Sequence, residues 1–124
     1  MTIVPWLFRA GLAVGLAALI AGCGEAPPSE AYLNDPAALK RGMGLFTGTC
    51  GAYCHSMKND VRDAPFLFDC QWKNGSGSDE DVFRVIYDGV PGTRMVGFGG
   101  KMPEGDADIW KIVAFLRSRR ESCG

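Results

Sequence analysis

The sequence predicts an all-α domain of three main helices joined by loops that need something to wrap. Three observations point there. Apolar residues recur at helical spacing in three stretches, and no stretch alternates convincingly at period two. Residues 56–77 and 90–105 carry no helical pattern, and loops of that length are uncommon in a compact domain unless they enclose something. The 124 residues include 17 Gly and 7 Pro, five cysteines and a single histidine. That length makes one domain. The net charge of −1 and the lack of a basic stripe argue against nucleic acid as a partner. One histidine excludes a His-rich metal cage and any pair of imidazoles.

Residues 1–22 carry one charge, Arg9, followed by an apolar run from Ala10 to Gly22. That run is short for about 30 Å of hydrocarbon and has the size of a signal-peptide core. Ile20-Ala21-Gly22-Cys23 resembles the lipobox of bacterial lipoproteins. The resemblance implies cleavage before Cys23 and lipid on that residue. An uncleaved helical anchor, counted from Ile3, is the other reading. Either way the remainder is exported. Residues 23–34, polar and Pro-bearing, read as a tether, and residues 35–124 as the folded body.

Asn34-Asp35-Pro36 offers a cap and then Pro in a first helical turn. Ala37, Ala38, Leu39, Met43, Leu45 and Phe46 give that helix an apolar face, with Met43 read as core. Gly in mid-helix costs about 1 kcal/mol against Ala. Close passage of another helix would explain Gly42 and Gly44, and simple fraying is the alternative. Ser78 followed by three acids opens a second helix, with Val82, Phe83, Val85 and Ile86 inward and Gly89 placed to end it. Asp106-Ala107-Asp108 opens the third. Its stripe is Ile109, Trp110, Ile112, Val113, Phe115 and Leu116, and Arg117, Arg119 and Arg120 stand at its negative end.

Cys50-Gly51-Ala52-Tyr53-Cys54-His55 follows the first helix. Covalent haem attachment uses Cys-x-x-Cys-His: two thiols reach two vinyl groups on one porphyrin edge, beside an imidazole aimed at the iron. Here three residues separate the cysteines, and one can bulge outward at Gly51 and Ala52. A tight Cys50–Cys54 disulfide is an alternative. A zinc site is poorly supplied by one His and scattered cysteines.

With its surroundings this run resembles the class I cytochromes c. Leu45–Cys50 leading to Cys54-His55 resembles their opening, and Ala64-Pro65-Phe66-Leu67-Phe68 the stretch after their haem motif. Gly92–Gly99 resembles their sixth-ligand loop, and Asp108–Arg117 their last helix, which crosses the first. The likeness spans residues 39–118. It implies one covalent haem c and an electron carrier rather than an enzyme. It also implies that the Pro65 carbonyl holds the ligand His55. The departures are the extra residue between the cysteines and Val96, where the family usually has Pro.

For the sixth iron ligand, Met57 lies too near His55 to swing round, Met43 reads as core, and Met102 has little slack before the last helix. Met95 sits mid-loop among glycines and matches the family position, so it is the expected ligand. A His55 and Met95 pair raises the potential relative to two histidines and fills both axial positions. Met102 as ligand, or an open site, are the alternatives. Cys70 and Cys123 remain. In an oxidising compartment they are expected to pair, with two free thiols as the alternative. Trp72 and Arg94 are both candidates to hydrogen-bond a haem propionate.

The expected function is single-electron carriage on the periplasmic face of a bacterial membrane, from a lipid anchor. Gly24 lacks the Asp of an inner-membrane retention signal, which by resemblance favours the outer membrane. Asp69–Trp72 and Gly89–Met95 are similar to small cytochromes found beside quinoprotein alcohol dehydrogenases; a terminal oxidase or another cytochrome fits as partner too. A haem sensor with a dissociable Met95, and a haem-free disulfide-linked binding module, are the other function classes.

Overall fold

The computed structural model describes residues 24–60 and 64–122. The leader at 1–22, the lipidation candidate Cys23 and the disulfide candidate Cys123 lie outside the described residues. Four α-helices follow in order: α1 Pro28–Tyr32, α2 Pro36–Leu45, α3 Asp79–Asp88 and α4 Asp106–Arg119. A π-helical turn, Phe46–Gly51, continues α2 without a break. The described residues contain no strand, only an isolated bridge between Gly89 and Val96.

The helix starts follow their sequence signals. Asp35 caps α2, its side chain accepting from Ala37 N and Ala38 N, with Pro36 in the first turn. Ser78 caps α3 by accepting from Asp81 N, and three acids fill the first turn. Gly89 ends α3 at φ 76°, a conformation glycine adopts without a side-chain clash.

The α2–α4 crossing organises the core. A Cβ on Gly42 would collide with the carbonyl oxygen of Lys111 and press on Phe115 Cβ, so this glycine is where the two backbones meet. Gly44 has open space beside it, and close packing does not account for it. Phe46, Phe68 and Phe115 form a mutual aromatic cluster, with centroids 5.6, 5.7 and 6.0 Å apart. Ile109, Ile112 and Val113 complete the buried centre, and Phe83 stacks on Trp110 at 4.2 Å.

An ion pair with a buried carboxylate clamps the same crossing. Asp108, fully buried at the start of α4, accepts from Arg41 Nε at 2.6 Å and Nη2 at 2.9 Å. The Glu104 amide adds a third hydrogen bond at 2.9 Å. The Arg41 guanidinium above all holds the Asp108 carboxyl below the usual carboxylate range, against the opposing cost of burial.

Two expectations need correction. Met43 does not enter the core: it is 41% exposed, on the outer face of α2. The stretch read as a free tether is split. Residues 24–27 are non-helical, but α1 lies packed on α4. Ser29 is fully buried and its Oγ donates to Asp79 Oδ2 at 2.5 Å. Arg117 Nη1 donates to Glu30 at 2.6 Å and to Asp79 at 3.0 Å. The ordered body therefore begins at Pro28 rather than at Asp35.

Candidate functional site

α3, α4, the π turn and the two long loops enclose a cavity of about 400 Å³, within the range of small-molecule and cofactor sites. Its floor is apolar, with Phe46, Val82, Ile86, Ile112 and Leu116. Cys50, Cys54, His55, Pro65 and Met95 all line it, as do Trp72 and Arg94. The residues that the motif placed together in sequence, and the Met that the loop argument chose, thus share one chamber.

The wide turn explains how three intervening residues are accommodated. Cys54 N and His55 N both donate to Cys50 O, at 3.1 and 3.0 Å. The second bond spans five residues, the π-type spacing. Ala52 and Tyr53 swing outward, Tyr53 to 81% exposure, while both sulfurs stay at the cavity. The outward residues are thus Ala52 and Tyr53 rather than the expected Gly51 and Ala52. Burial, with the neighbouring Cys54 thiol second, pushes the Cys50 thiol up to about 11, so it stays protonated at neutral pH.

His55 is buried, and its Nδ1 lies 2.8 Å from Pro65 O. A carbonyl only accepts, so Nδ1 carries the proton and Nε2 keeps a lone pair for a metal.

Met95 is held by the loop folding back on the end of α3. Val90 N donates to Met95 O at 2.9 Å, Phe98 N to Ile86 O at 2.9 Å and Gly99 N to Tyr87 O at 3.0 Å. Thr93 Oγ1 donates to Val90 O at 2.8 Å and accepts from Met95 N at 3.1 Å. These bonds fix the loop, and Val96, next to Met95, is 59% exposed. Met102 instead packs in the hydrophobic core and does not line the cavity, and Met57 is partly exposed.

Among the described residues, Lys73 and Arg94 line the cavity and no carboxylate does. Trp72 Nε1 is buried without a hydrogen-bond partner, a costly state unless an acceptor completes it. An anionic group with an apolar body satisfies both features, and haem, a hydrophobic ring with two propionates, is such a group. Lys73 and Asn74 at the rim escaped the sequence reading; no motif marks them, and only the folded loop brings them there. Among the described residues no cluster of three or more His, Cys, Asp or Glu could hold a bare metal ion.

Cys70 lies in the loop beside Trp72. Its Sγ stands 3.9 Å from the Glu121 carbonyl oxygen, and Glu121 N donates to Phe68 O at 3.0 Å. Glu121 is thereby drawn to the loop that holds Cys70.

No protein-family model matches the chain, and no curated protein does either. Among solved structures it is similar to cytochrome cL from the marine methylotrophic bacterium Methylophaga aminisulfidivorans. The identity is 24% and the TM-score 0.63, over 82% of this chain and 72% of that one. The fold is thus the all-α cytochrome c fold.

Proposed function

We propose that the protein is an electron carrier that holds one haem c covalently, works on the periplasmic side of a bacterial membrane, and is tethered there by lipid on Cys23. The observation that carries the reading is the cavity, which joins Cys50, Cys54, His55 and Met95 within a cytochrome c fold. The cytochrome cL likeness supports electron transfer rather than catalysis. Cys50 and Cys54 would form the two thioethers. His55 Nε2 and Met95 Sδ would ligate the iron, with Pro65 O orienting the imidazole. Trp72 Nε1 would donate to a propionate, and Lys73 and Arg94 supply positive charge nearby. When bound, the haem supplies an iron that cycles between ferrous and ferric states. With His55 and Met95 as its two protein ligands, the iron would have no vacancy for a substrate.

Cys70 and Cys123 form the proposed disulfide; the approach of Glu121 to Cys70 supports it. The redox partners are another protein donor and acceptor, with a quinoprotein dehydrogenase and a terminal oxidase as the candidate classes.

The test is a pyridine haemochrome assay on protein matured in a host with a haem c assembly system. One haem per chain, with the spectrum of two saturated vinyls, is expected. The oxidised protein should also show the long-wavelength band of a Met–iron bond. A colourless folded chain, or His55→Ala protein with an unchanged spectrum, would refute the haem assignment.

A further inference from the structure

The docked α1 bears on how the cavity is presented to its surroundings. In α4, Ile112 and Leu116 line the cavity. Lys111 and Arg117 reach the other way, to α1: Lys111 Nζ lies 5.7 Å from the Tyr32 ring centroid, and Arg117 Nη1 lies 2.6 Å from Glu30. Between them stands Ala114, fully buried. At 3.6 residues per turn, Ala114 points about 200° round the helix from Ile112 and about 160° from Leu116. α4 therefore separates α1 from the cavity. No residue from 24 to 45 lines the chamber. Its exposed rim comes from the two loops: Gln71, Lys73, Asn74, Thr93, Arg94 and Val96.

The free part of the leader side is short. Five backbone steps link Cys23 to Pro28, at most about 18 Å when fully extended. A body of this size is roughly 30 Å across, so it cannot turn over on such a leash. Resting on the lipid-anchor and haem readings above, we propose that the α1 side of the molecule faces the phospholipid bilayer. The haem cavity is turned to the aqueous phase, toward a water-soluble redox protein rather than one buried in the membrane. The buried Ser29–Asp79 hydrogen bond and the Arg117–Glu30 pair are then orienting contacts, because releasing α1 would lengthen the leash.

The test uses the full-length lipidated holoprotein in phosphatidylcholine vesicles. Reduced protein is mixed with ferricyanide, which stays in water, or with a ferrocenium-bearing phospholipid, which stays in the bilayer; each takes one electron from the ferrous haem. A second variant carries twenty Gly and Ser residues inserted between Glu25 and Ala26. The insertion is expected to speed oxidation by the lipid-borne acceptor at least tenfold, and to leave the ferricyanide rate within twofold. Equal lipid-acceptor rates for the two proteins would overturn the orientation. Flotation with vesicles and the mass of the mature chain read the anchor separately. An unlipidated chain that does not float removes the anchor, and the orientation with it. A floating chain with equal rates removes the orientation alone.

Discussion

At the residue scale, the two methionines weighed as the proposed iron ligand are separated by their surroundings. Met95 lines the cavity on a loop fixed by Thr93, whereas Met102 is buried in the core. Met95→Ala should open the sixth position, so that added imidazole binds, and should lower the reduction potential by removing the thioether; spectroscopic titration and voltammetry check both. Met102→Ala should keep the Met–iron band and lose about 2–5 kcal/mol of stability through the cavity it leaves, read by denaturant unfolding. Loss of the band in that variant would reverse the ligand choice. That Met95 rather than Met102 lies at the cavity was legible in sequence, because glycine spacing and distance from His55 constrain reach. Burial was not legible to the same degree. Met43 has helical spacing with apolar neighbours, yet it stands 41% exposed. Periodicity marks a face, and only the packed neighbour decides whether that face is covered.

Helix ends were the most legible elements, because Asp35, Ser78 and Gly89 act through local hydrogen bonds and backbone conformation. The crossing of α2 and α4 was legible as a suspicion at two glycines, and only Gly42 carries it. Gly42→Ala should force the helices apart at the Lys111 carbonyl, a backbone group that cannot rotate away. A loss of about 1–3 kcal/mol is expected from overpacking, while Gly44→Ala, with open space beside it, should raise stability slightly through helix propensity. Thermal unfolding of the two variants side by side distinguishes the sites. A destabilised Gly44→Ala with a neutral Gly42→Ala would contradict the packing. α1 was not legible at all. Its five residues are too few for periodicity, and its stability comes from Ser29, Glu30 and Tyr32 meeting side chains 50 or more positions away in sequence or on α4.

At the scale of the whole molecule, two long-range ties bear on stability. Asp108 keeps its charge to lower pH in the folded chain than in the unfolded one. Its contribution is present above its unfolded pKa of about 3.9 and is lost as pH falls through its lower folded value. Asp108→Asn should be less stable at neutral pH and lose less on acidification, which urea unfolding at neutral and acidic pH measures. The second tie is the proposed Cys70–Cys123 disulfide. Closing a loop of more than 50 residues contributes about 4 kcal/mol if unstrained. Cys123→Ser should lower the melting temperature with the haem spectrum intact. Alkylation of the denatured, unreduced holoprotein should add no alkyl group at these positions; uptake of two would remove the link.

The wide turn at Phe46–Gly51 has a consequence for how the motif tolerates its own length. In a regular helix one inserted residue advances everything after it by about 100°, enough to carry the imidazole of His55 off the cavity. Here the surplus is absorbed just after that turn, where His55 N reaches back five residues to Cys50 O. Cys50, Cys54 and His55 all line the cavity despite the extra residue, and the surplus appears as the outward Ala52 and Tyr53. Deleting Tyr53 should restore the Cys-x-x-Cys-His spacing and leave the protein able to take one haem per chain through two thioethers, which the pyridine haemochrome spectrum of the variant checks.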